Sequence, residues 1–347
     1  MIAIQENQVL QEGLEIIRGR LPSGWTIDRL TVEPIAAGSR CDAQIQLRAP
    51  SGERVTLPVE VKTRFYPSAL KNTLPQLKTE QGVLIAPFLP SSTRRQLKEL
   101  RASFADLTGN VRLEVSWPGL FIETVGATSD PSPTQPQRSL KAAQASRVIR
   151  ALIDNRPPYR LGDIATRSAV DLGHVSRLLK QLDQEGLISR QRRGPVTEVR
   201  WQELIRRWAE EYRVAKSNAA TYWLEPRGLG PFLEGLRGTA LRYALTGSVA
   251  ASMRAAVAPA KLAMLYVEEP RLLTSELKLR PAEVGGNVVL LVPRDPLPFE
   301  GVVREQELVL SAPSQVAADL LTGPGRTSSE AEAFIDWMNE NEDVWRR

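Results

Sequence analysis

The stretch GDIATRSAVDLGHVSRLLKQLDQEGLISRQRRG, residues 162–194, decides the fold of the central part of this 347-residue chain. It predicts a short helix at Leu161–Ser168, a turn at Val170–Gly173 and a second helix that ends at Glu185-Gly186. Asp171 stands where its side chain can cap the first turn of that second helix. Four apolar residues of the second helix follow i, i+3, i+4, i+7 spacing and predict one buried stripe: Val175, Leu178, Leu179 and Leu182.

The flanking residues complete a compact pattern. Before the quoted stretch, Leu140–Asn155 has apolar residues at helical spacing and stops ahead of Pro157-Pro158, which cannot continue a helix. After it, Leu187–Arg190 and Val196–Trp201 predict two strands joined by the basic turn 191–195. Residues 140–201 therefore predict three helices followed by a basic hairpin.

This order of helices and hairpin, with the quoted stretch, resembles the MarR-like winged helix-turn-helix. The resemblance implies that the third of the three helices, the one with the predicted buried stripe, enters the major groove of DNA. It also implies that the hairpin, or wing, contacts phosphates or the minor groove. The candidate DNA-binding residues lie on the exposed faces of that helix and on the wing: His174, Ser176, Arg177, Lys180, Arg190, Arg192 and Arg193. The alternative is a winged helix used only for protein contacts.

The charge of the chain is concentrated in the same region. The whole chain has a formal net charge of +5, but residues 138–216 hold 17 Lys and Arg against 9 Asp and Glu, a net charge of +8. The remaining residues therefore carry −3. A basic segment between slightly acidic flanks is typical of a polyanion-binding site, although a solvated basic surface has the same composition.

Residues 1–126 predict a separate α/β domain. A helix at Gln5–Arg20 comes first and a second helix at Ser92–Ser103 comes later. The strand candidates are Thr26–Val32, Cys41–Leu47, Val55–Lys62, Gly82–Ala86 and Val111–Val115. Residues 127–139, which are rich in Pro, Ser and Thr, predict a linker to the winged helix.

Three residues of the first domain form a candidate catalytic set: Asp42, Glu60 and Lys62. Strand alternation puts Glu60 and Lys62 on one face, and the pattern resembles the PD-(D/E)XK nuclease core. That resemblance implies Mg²⁺ held by Asp42 and Glu60, with a further helix carboxylate at Glu12 or Glu15 and a lysine that orients the attacking water. The alternatives are a surface Glu–Lys pair and a related fold whose catalysis has lapsed, and we expect no working cleavage and no cofactor.

Residues 202–347 predict a third domain. It begins with an amphipathic helix, Gln202–Ser217, contains strands at Lys261–Val267 and Asn287–Val292, and closes with a helix at Ser328–Asn339. The segment around Gly247-Ser248 resembles the opening of nucleotidyltransferase-like domains. The Asp-x-Asp of those enzymes is absent, and Glu268 and Glu269, adjacent on a strand, would point to opposite faces. A non-catalytic relative is therefore expected.

Residues 140–340 together resemble the AbiEi family of type IV toxin–antitoxin antitoxins. The resemblance rests on the winged helix, on "ALTGSVAASMRAAVAPAKLAMLYVEEP" and on "GGNVVLLVPRD…SAPSQVAADLLTGPGRTSSEAEAFIDWM". It implies a transcriptional regulator that binds DNA near its own promoter, with a nucleotidyltransferase toxin as cognate. A nuclease-like first domain is not expected in the shortest members of that family.

The sequence thus predicts an α/β multidomain protein: a PD-(D/E)XK-like α/β domain, a central winged helix-turn-helix and a C-terminal nucleotidyltransferase-like α/β domain. One cysteine, Cys41, and one histidine, His174, exclude internal disulfides and multi-histidine metal sites. The expected location is the cytoplasm, on the nucleoid. The expected partners are double-stranded DNA, a second copy of the chain and a cognate toxin, with no membrane.

The predicted function is sequence-specific, DNA-binding transcriptional regulation. Two alternatives remain open: a metal-dependent DNA nuclease targeted by the winged helix, and an antitoxin that acts through its C-terminal domain.

Overall fold

The computed structural model of the chain describes residues 4–32, 41–63, 65, 82–128, 130–131, 139–190, 194–255, 257–324 and 327–347. The chain divides into two compact units. The first contains Met1–Gln137 together with Gln181–Gly186, and the second contains Arg138–Lys180 and Leu187–Arg347. The predicted boundary between residues 201 and 202 falls inside the second unit, and most of the predicted linker 127–139 lies outside the described residues.

A seven-stranded sheet forms the centre of the first unit. The elements of this unit are α1 (Ile4–Arg18), β1 (Thr26–Val32), β2 (Ala43–Arg48), β3 (Arg54–Val61), β4 (Val83–Ala86), α2 (Ser91–Glu99), β5 (Ser103–Asp106), β6 (Val111–Val115) and β7 (Leu120–Thr124). The strands lie side by side in chain order, with parallel pairing of β3 to β4 and of β4 to β5 and antiparallel pairing elsewhere.

Alternation along the central strands of this sheet divides its core in two. Val83 and Ile85 of β4 belong to one apolar cluster with Leu10 and Leu14 of α1. Leu84 and Ala86 of β4 belong to another, with Leu97 of α2 and Phe104 of β5. Because side chains alternate faces along a strand, the four apolar residues of β4 bury both faces of the sheet.

The winged-helix region follows in the chain. Its elements are α3 (Ala143–Ile153), α4 (Leu161–Ser168), α5 (Leu172–Gln184), β8 (Ile188–Arg190), β9 (Val196–Val199) and α6 (Trp201–Glu211). Residues Leu204, Ile205, Trp208 and Tyr212, predicted to share one face, are all buried. That face packs α6 against α3 and against a later helix, α11 (Pro313–Thr322).

A second mixed sheet of seven strands occupies the rest of the second unit. Besides α11, the elements are α7 (Val214–Ser217), β10 (Ala219–Leu224), α8 (Leu229–Gly238), β11 (Tyr243–Thr246), α9 (Gly247–Ser252), β12 (Ala263–Val267), α10 (Pro270–Glu276), β13 (Arg280–Pro281), β14 (Val288–Val292), β15 (Val303–Glu305), β16 (Leu308–Leu310), α12 (Thr327–Glu340) and α13 (Glu342–Trp345). The strand order of the sheet is β13-β10-β14-β12-β11-β16-β15.

A buried carboxylate joins α6 to this sheet. Asp319 of α11 is about 1% exposed and accepts hydrogen bonds from Tyr212 Oη at 2.8 Å, Thr246 Oγ1 at 2.6 Å and Gln315 Nε2 at 2.9 Å. Tyr266 Oη of β12 donates to it as well, at 2.8 Å. Burial raises the pKa of the Asp319 carboxyl to about 6, against the lowering effect of these four donors.

Residues Glu342–Arg347, here called the clasp, pack against the winged helix. The Trp345 ring meets the Trp201 ring edge-on, with centroids 5.1 Å apart, and Trp201 Nε1 donates to Glu342. Arg346 Nε donates to the carbonyl of Ile153 at 3.0 Å, and Arg347 N donates to the carbonyl of Asp154 at 2.9 Å. The clasp therefore closes over the C-terminal end of α3.

Two helix predictions were wrong. The predicted helix Ser92–Ser103 ends at Glu99, because the chain turns at Arg101 with φ +54° and Ser103 begins a buried strand. The predicted helix Gln202–Ser217 is broken at Tyr212, whose backbone is extended while its hydroxyl reaches Asp319, and a new turn starts at Val214.

Candidate nucleic-acid interface

The helices of the helix-turn-helix each bury apolar residues, among them Ile164 of α4 and Val175 of α5. The predicted stripe is confirmed: Val175, Leu178 and Leu182 are fully buried, and Leu179 is 3% exposed. These residues leave the opposite side of α5 to polar side chains and to Leu172, which is 55% exposed. The helix that precedes it, α4, ends at Ala169, whose φ of +52° turns the chain toward α5.

Asp171 fixes the start of α5. Its Oδ1 accepts a hydrogen bond from the backbone N–H of His174 at 2.8 Å, as expected of a residue that caps a helix. The cap satisfies one of the orphan amides of the first turn. The direction in which α5 leaves the turn is therefore set by Asp171 and by the buried stripe.

Three of the predicted α5 residues are exposed together. Ser176, Arg177 and Lys180 are exposed and His174 is half-buried, so His174 is less accessible than its neighbours. Residues three and four apart are neighbours on a helix surface, so Lys180 lies next to both Ser176 and Arg177. The exposed side of α5 thus combines a hydroxyl with two long cationic side chains.

The guanidinium of Arg177 lies over the first turn of α5. A methyl group on Gly173 would lie 3.3 Å from Nη1 of Arg177 and 3.2 Å from Oδ1 of Asp171. The absence of a side chain at Gly173 leaves room for both groups. In helix-turn-helix proteins the base contacts come from the N-terminal part of the second helix, which is where this guanidinium sits.

The wing consists of three short segments. In the β8–β9 hairpin Ile188 pairs with Val199 and Ser189 with Glu198, and Tyr159 makes an isolated antiparallel bridge to Val196. Tyr159 N donates to Val196 O at 3.0 Å and Val196 N donates back at 2.9 Å. The prediction contained only the hairpin, because one bridging residue after two prolines leaves no strand pattern in the sequence.

Of the predicted wing arginines, Arg190 is half-buried at the end of β8. Arg192 and Arg193 lie outside the described residues. Glu198, the first carboxylate after them in the chain, accepts a hydrogen bond from Ser189 Oγ at 3.1 Å and lies 3.9 Å from Arg200 Nε. The Glu198 carboxylate therefore interacts with Ser189 and Arg200 at the base of the wing.

The candidate catalytic residues of the first unit lie close together. Asp42 precedes β2 rather than lying within it, and its Oδ2 accepts the backbone N–H of Val61 at 2.8 Å. Glu60 of β3 is 6% exposed, and its carboxylate is paired with the ammonium of Lys62. The backbone N–H of Asp42 donates to Val59 O at 3.1 Å, and the β2–β3 ladder begins at the next residue, where Ala43 pairs with Val59.

The charge of Glu6 in α1 acts on Glu60, whereas Glu12 and Glu15, the two helix carboxylates named with the nuclease resemblance, are both exposed. Glu12 accepts from Gln8, and Glu15 pairs with Arg18, both on the exposed side of α1. Burial raises the pKa of the Glu60 carboxyl in spite of the hydrogen bond from Lys62, and the charges of Asp42 and Glu6 raise it further. Helical periodicity alone did not show which turn of α1 approaches β3.

The described residues contain no group of three His, Cys, Asp or Glu side chains arranged to hold a metal ion. One oxygen of Asp42 is committed to a backbone amide, and Glu60 already has a cationic partner. Both carboxylates that the nuclease resemblance assigns to Mg²⁺ therefore already have a partner within the protein.

In the third predicted domain, Glu268 and Glu269 follow β12 rather than lying on it. Glu268 is exposed and pairs with Arg242 at 2.7 Å, and Glu269 stands immediately before α10. Gly247, with φ +63°, and Ser248 open α9 directly after β11. Glu268 is thus part of a surface ion pair, and Glu269 lies at the start of α10.

Comparison with known families gives a match to the central part of the chain. The MarR family model matches residues 140–193, which contain α3, α4, α5 and β8. Searches of curated proteins and of solved structures gave no match. Among the described residues, no helix is long and apolar enough to cross a membrane. The mixed α/β chain therefore contains a central winged-helix domain similar to the MarR family, which supports a DNA-binding transcriptional regulator.

Proposed function

We propose that the protein is a sequence-specific regulator of transcription that inserts α5 into the major groove of double-stranded DNA. The observation that carries the proposal is the exposed set Ser176, Arg177 and Lys180, opposite a fully buried stripe, within the segment that matches the MarR family. Arginine reads guanine through two parallel hydrogen bonds, and lysine and serine reach bases or phosphates.

The net charge of +8 over residues 138–216 supports binding to the phosphate backbone. Each phosphate neutralised by a lysine or arginine adds to affinity for any sequence, whereas α5 would supply discrimination. MarR-family proteins bind double-stranded DNA and often act as dimers, so two copies reading two half-sites are part of the proposal.

The decisive experiment is a genome-wide footprint of the bound chain, followed by binding of the recovered sequence in vitro. We expect one or a few sites, one of them beside the protein's own gene, bound at least 10³-fold more tightly than random DNA at the same salt concentration. A footprint with no enriched sequence would overturn sequence-specific regulation. Equal affinity for recovered and random DNA would overturn it as well.

A finer proposal is that the regulator is an AbiEi-like antitoxin. It is supported by the resemblance over residues 140–340 and by the Gly-Ser start of α9 between β11 and β12. Co-expression with a nucleotidyltransferase toxin encoded beside it tests the proposal. An antitoxin that acts through its C-terminal region should still neutralise that toxin when Arg177→Ala has removed promoter repression.

For the first unit we propose a PD-(D/E)XK-like fold whose catalysis has lapsed. The order of α1, the antiparallel strands β1 to β3 and the parallel strand β4 supports the fold. The pairing of Glu60 with Lys62 and the commitment of Asp42 to a backbone amide favour a structural role for these residues.

A further inference from the structure

Leu172, the first residue of α5, is a feature of the winged helix that the proposed function leaves unexplained. Its side chain is 55% exposed, the largest exposed fraction of any large apolar residue in the described parts of residues 140–201. Leu161, at the start of α4, follows with 37%. Single exposed leucines are ordinary on protein surfaces, so the position of Leu172, rather than its exposure, points to a role.

Leu172 lies in line with polar residues on the exposed side of α5. Residues four apart are neighbours on a helix surface, so Leu172 lies next to Ser176, and Ser176 lies next to Lys180. The three side chains therefore form one row along the helix, with the apolar one at its N-terminal end. In helix-turn-helix proteins the N-terminal residues of the second helix contact base edges, so Leu172 belongs to the part of α5 that is expected to meet bases.

Leu172 is also close to the guanidinium of Arg177. The Cα atoms of Leu172 and Gly173 are about 3.8 Å apart, as across any trans peptide. A methyl group on Gly173 would lie 3.3 Å from Nη1 of Arg177, and Gly173 is exposed and contributes no side chain of its own. Successive base pairs are about 3.4 Å apart along a duplex. The base that Leu172 reaches and the base that Arg177 reads are therefore expected within about two base pairs of each other.

An apolar side chain has one matching group in the major groove of DNA. Thymine presents its C5-methyl group there, whereas the remaining base edges present hydrogen-bond donors and acceptors. Leucine has no donor or acceptor, so burying Leu172 against guanine or cytosine would leave polar base atoms without the hydrogen bonds that they make in water. Against a thymine methyl group, the same burial removes apolar surface of both partners from water.

We propose that Leu172 contacts the 5-methyl group of a thymine that lies within about two base pairs of the guanine read by Arg177. This inference rests on the proposed function and deepens it, because it names a second base of each half-site and the group by which that base is read. Arg177 selects guanine through hydrogen bonds, and Leu172 selects thymine through apolar contact. Burial of one methyl group corresponds to about a fourfold change in affinity.

The test uses the full chain and the site recovered by footprinting. Each thymine of one half-site is replaced in turn by uracil, which differs from thymine only in lacking the 5-methyl group. Affinity is measured by fluorescence anisotropy at one salt concentration. We expect one thymine whose replacement weakens binding about fourfold, within about two base pairs of the guanine whose substitution no longer matters in Arg177→Ala.

Variants of the protein then assign this uracil penalty to Leu172. In Leu172→Ala the thymine and uracil sites should bind equally well, because the methyl group has lost its apolar partner. Leu161→Ala removes the exposed leucine of α4 instead and is the matched control, in which the penalty should persist in full. If Leu172→Ala does not fold, Leu172→Gln replaces it, since glutamine keeps the length of the side chain without its apolar character.

The outcomes separate this contact from the proposed function. A footprint with no enriched sequence overturns the regulator and the contact together. A recovered half-site that has no thymine at the stated distance, or whose thymines all tolerate uracil, overturns the contact and leaves the regulator in place. A uracil penalty that stays undiminished in Leu172→Ala does the same, because the methyl group is then read by another residue. Loss of the penalty in Leu172→Ala but not in Leu161→Ala establishes Leu172 as a specificity-determining residue.

Discussion

At the scale of single residues, Arg177 carries the most specific expectation. Its guanidinium lies over the first turn of α5 in space left free by Gly173. Arg177→Ala should therefore lose about 1–3 kcal/mol of discrimination between the recovered site and random DNA, the value of one bidentate contact to guanine. Fluorescence anisotropy on both DNAs at one salt concentration measures the difference.

Two companion variants sharpen this test. Arg177→Lys keeps the charge but cannot form the two parallel hydrogen bonds, so it should lose discrimination while binding random DNA as before. Arg294→Ala removes an exposed arginine outside residues 140–193 and should leave both affinities unchanged. Equal losses of Arg177→Ala on the two DNAs would make Arg177 a phosphate contact.

Asp319 makes the stability of the second unit depend on pH. Its folded pKa of about 6 lies above its ordinary value of 3.8. A raised pKa in the folded state means that the folded state holds the proton more tightly than the unfolded state does. The stabilisation that Asp319 contributes is therefore complete below about pH 4 and is lost as the pH rises through about 6. The free energy of unfolding falls by about 3 kcal/mol over this pH range.

Thermal unfolding from pH 4.5 to 7.5 tests this linkage. Asp319→Asn cannot titrate, so the loss of Tm between pH 5 and 7 should be smaller in this variant than in the parent. Asp336→Asn, at an exposed position of α12, is the control and should follow the parent. Parallel curves for the parent and Asp319→Asn would show that this buried carboxyl does not change its protonation on unfolding.

At the scale of elements, the wing is expected to act through charge. Arg192 and Arg193 stand in the basic turn 191–195, with no carboxylate before Glu198. Changing both to alanine should weaken binding to every DNA sequence and reduce the slope of log affinity against log salt by about one to two units. Affinities between 50 and 200 mM salt give that slope. An unaltered slope would reject the wing as a backbone contact.

Strongly periodic elements were predictable from the sequence. The stripe of α5, the Asp171 cap, the helix Leu161–Ser168 and the strands Thr26–Val32 and Val111–Val115 agree with the structure. Each carries its own signal in consecutive residues, either a helical or an alternating pattern or a cap at the correct offset. Such elements depend little on partners that are distant in sequence.

Elements fixed by distant partners were missed. The six-residue helix α9 and the three-residue strands β15 and β16 are too short for a periodic pattern. The break after α6 depends on the hydroxyl of Tyr212 reaching Asp319, 107 residues away. Glu6 was missed because the turn of α1 that lies near Glu60 depends on how the helix packs on the sheet.

At the scale of the whole molecule, the question is whether a regulator also cuts DNA, and we expect that it does not. Purified protein with Mg²⁺ or Mn²⁺ should show no plasmid nicking that disappears in the variant carrying Glu60→Ala and Lys62→Ala. The reason is that Glu60 is paired with Lys62 and that one Asp42 oxygen is held by the amide of Val61. Agarose-gel assays of supercoiled plasmid provide the measurement.

Cleavage of DNA by the purified protein would be an equally clear outcome. Strand alternation and the nearby Glu6 put polar groups where a nuclease would use them. If metal-dependent cleavage appears and is lost in each of Asp42→Asn, Glu60→Gln and Lys62→Ala, the proposed regulator function is replaced by that of a nuclease targeted by its winged helix. Glu12→Gln, on the exposed side of α1, is the control that should not affect such cleavage.

The clasp has a consequence for the order in which the protein is made. Arg346 holds the carbonyl of Ile153 across 193 residues of sequence. At a synthesis rate of about 5–20 residues per second, the helices of the DNA-binding region leave the ribosome about 10–40 s before the clasp is available. During that interval the nascent chain exposes the C-terminal end of α3 and the face of Trp201 that Trp345 later covers. A message truncated before residue 342 would leave that apolar face permanently exposed, a target for chaperones and proteases.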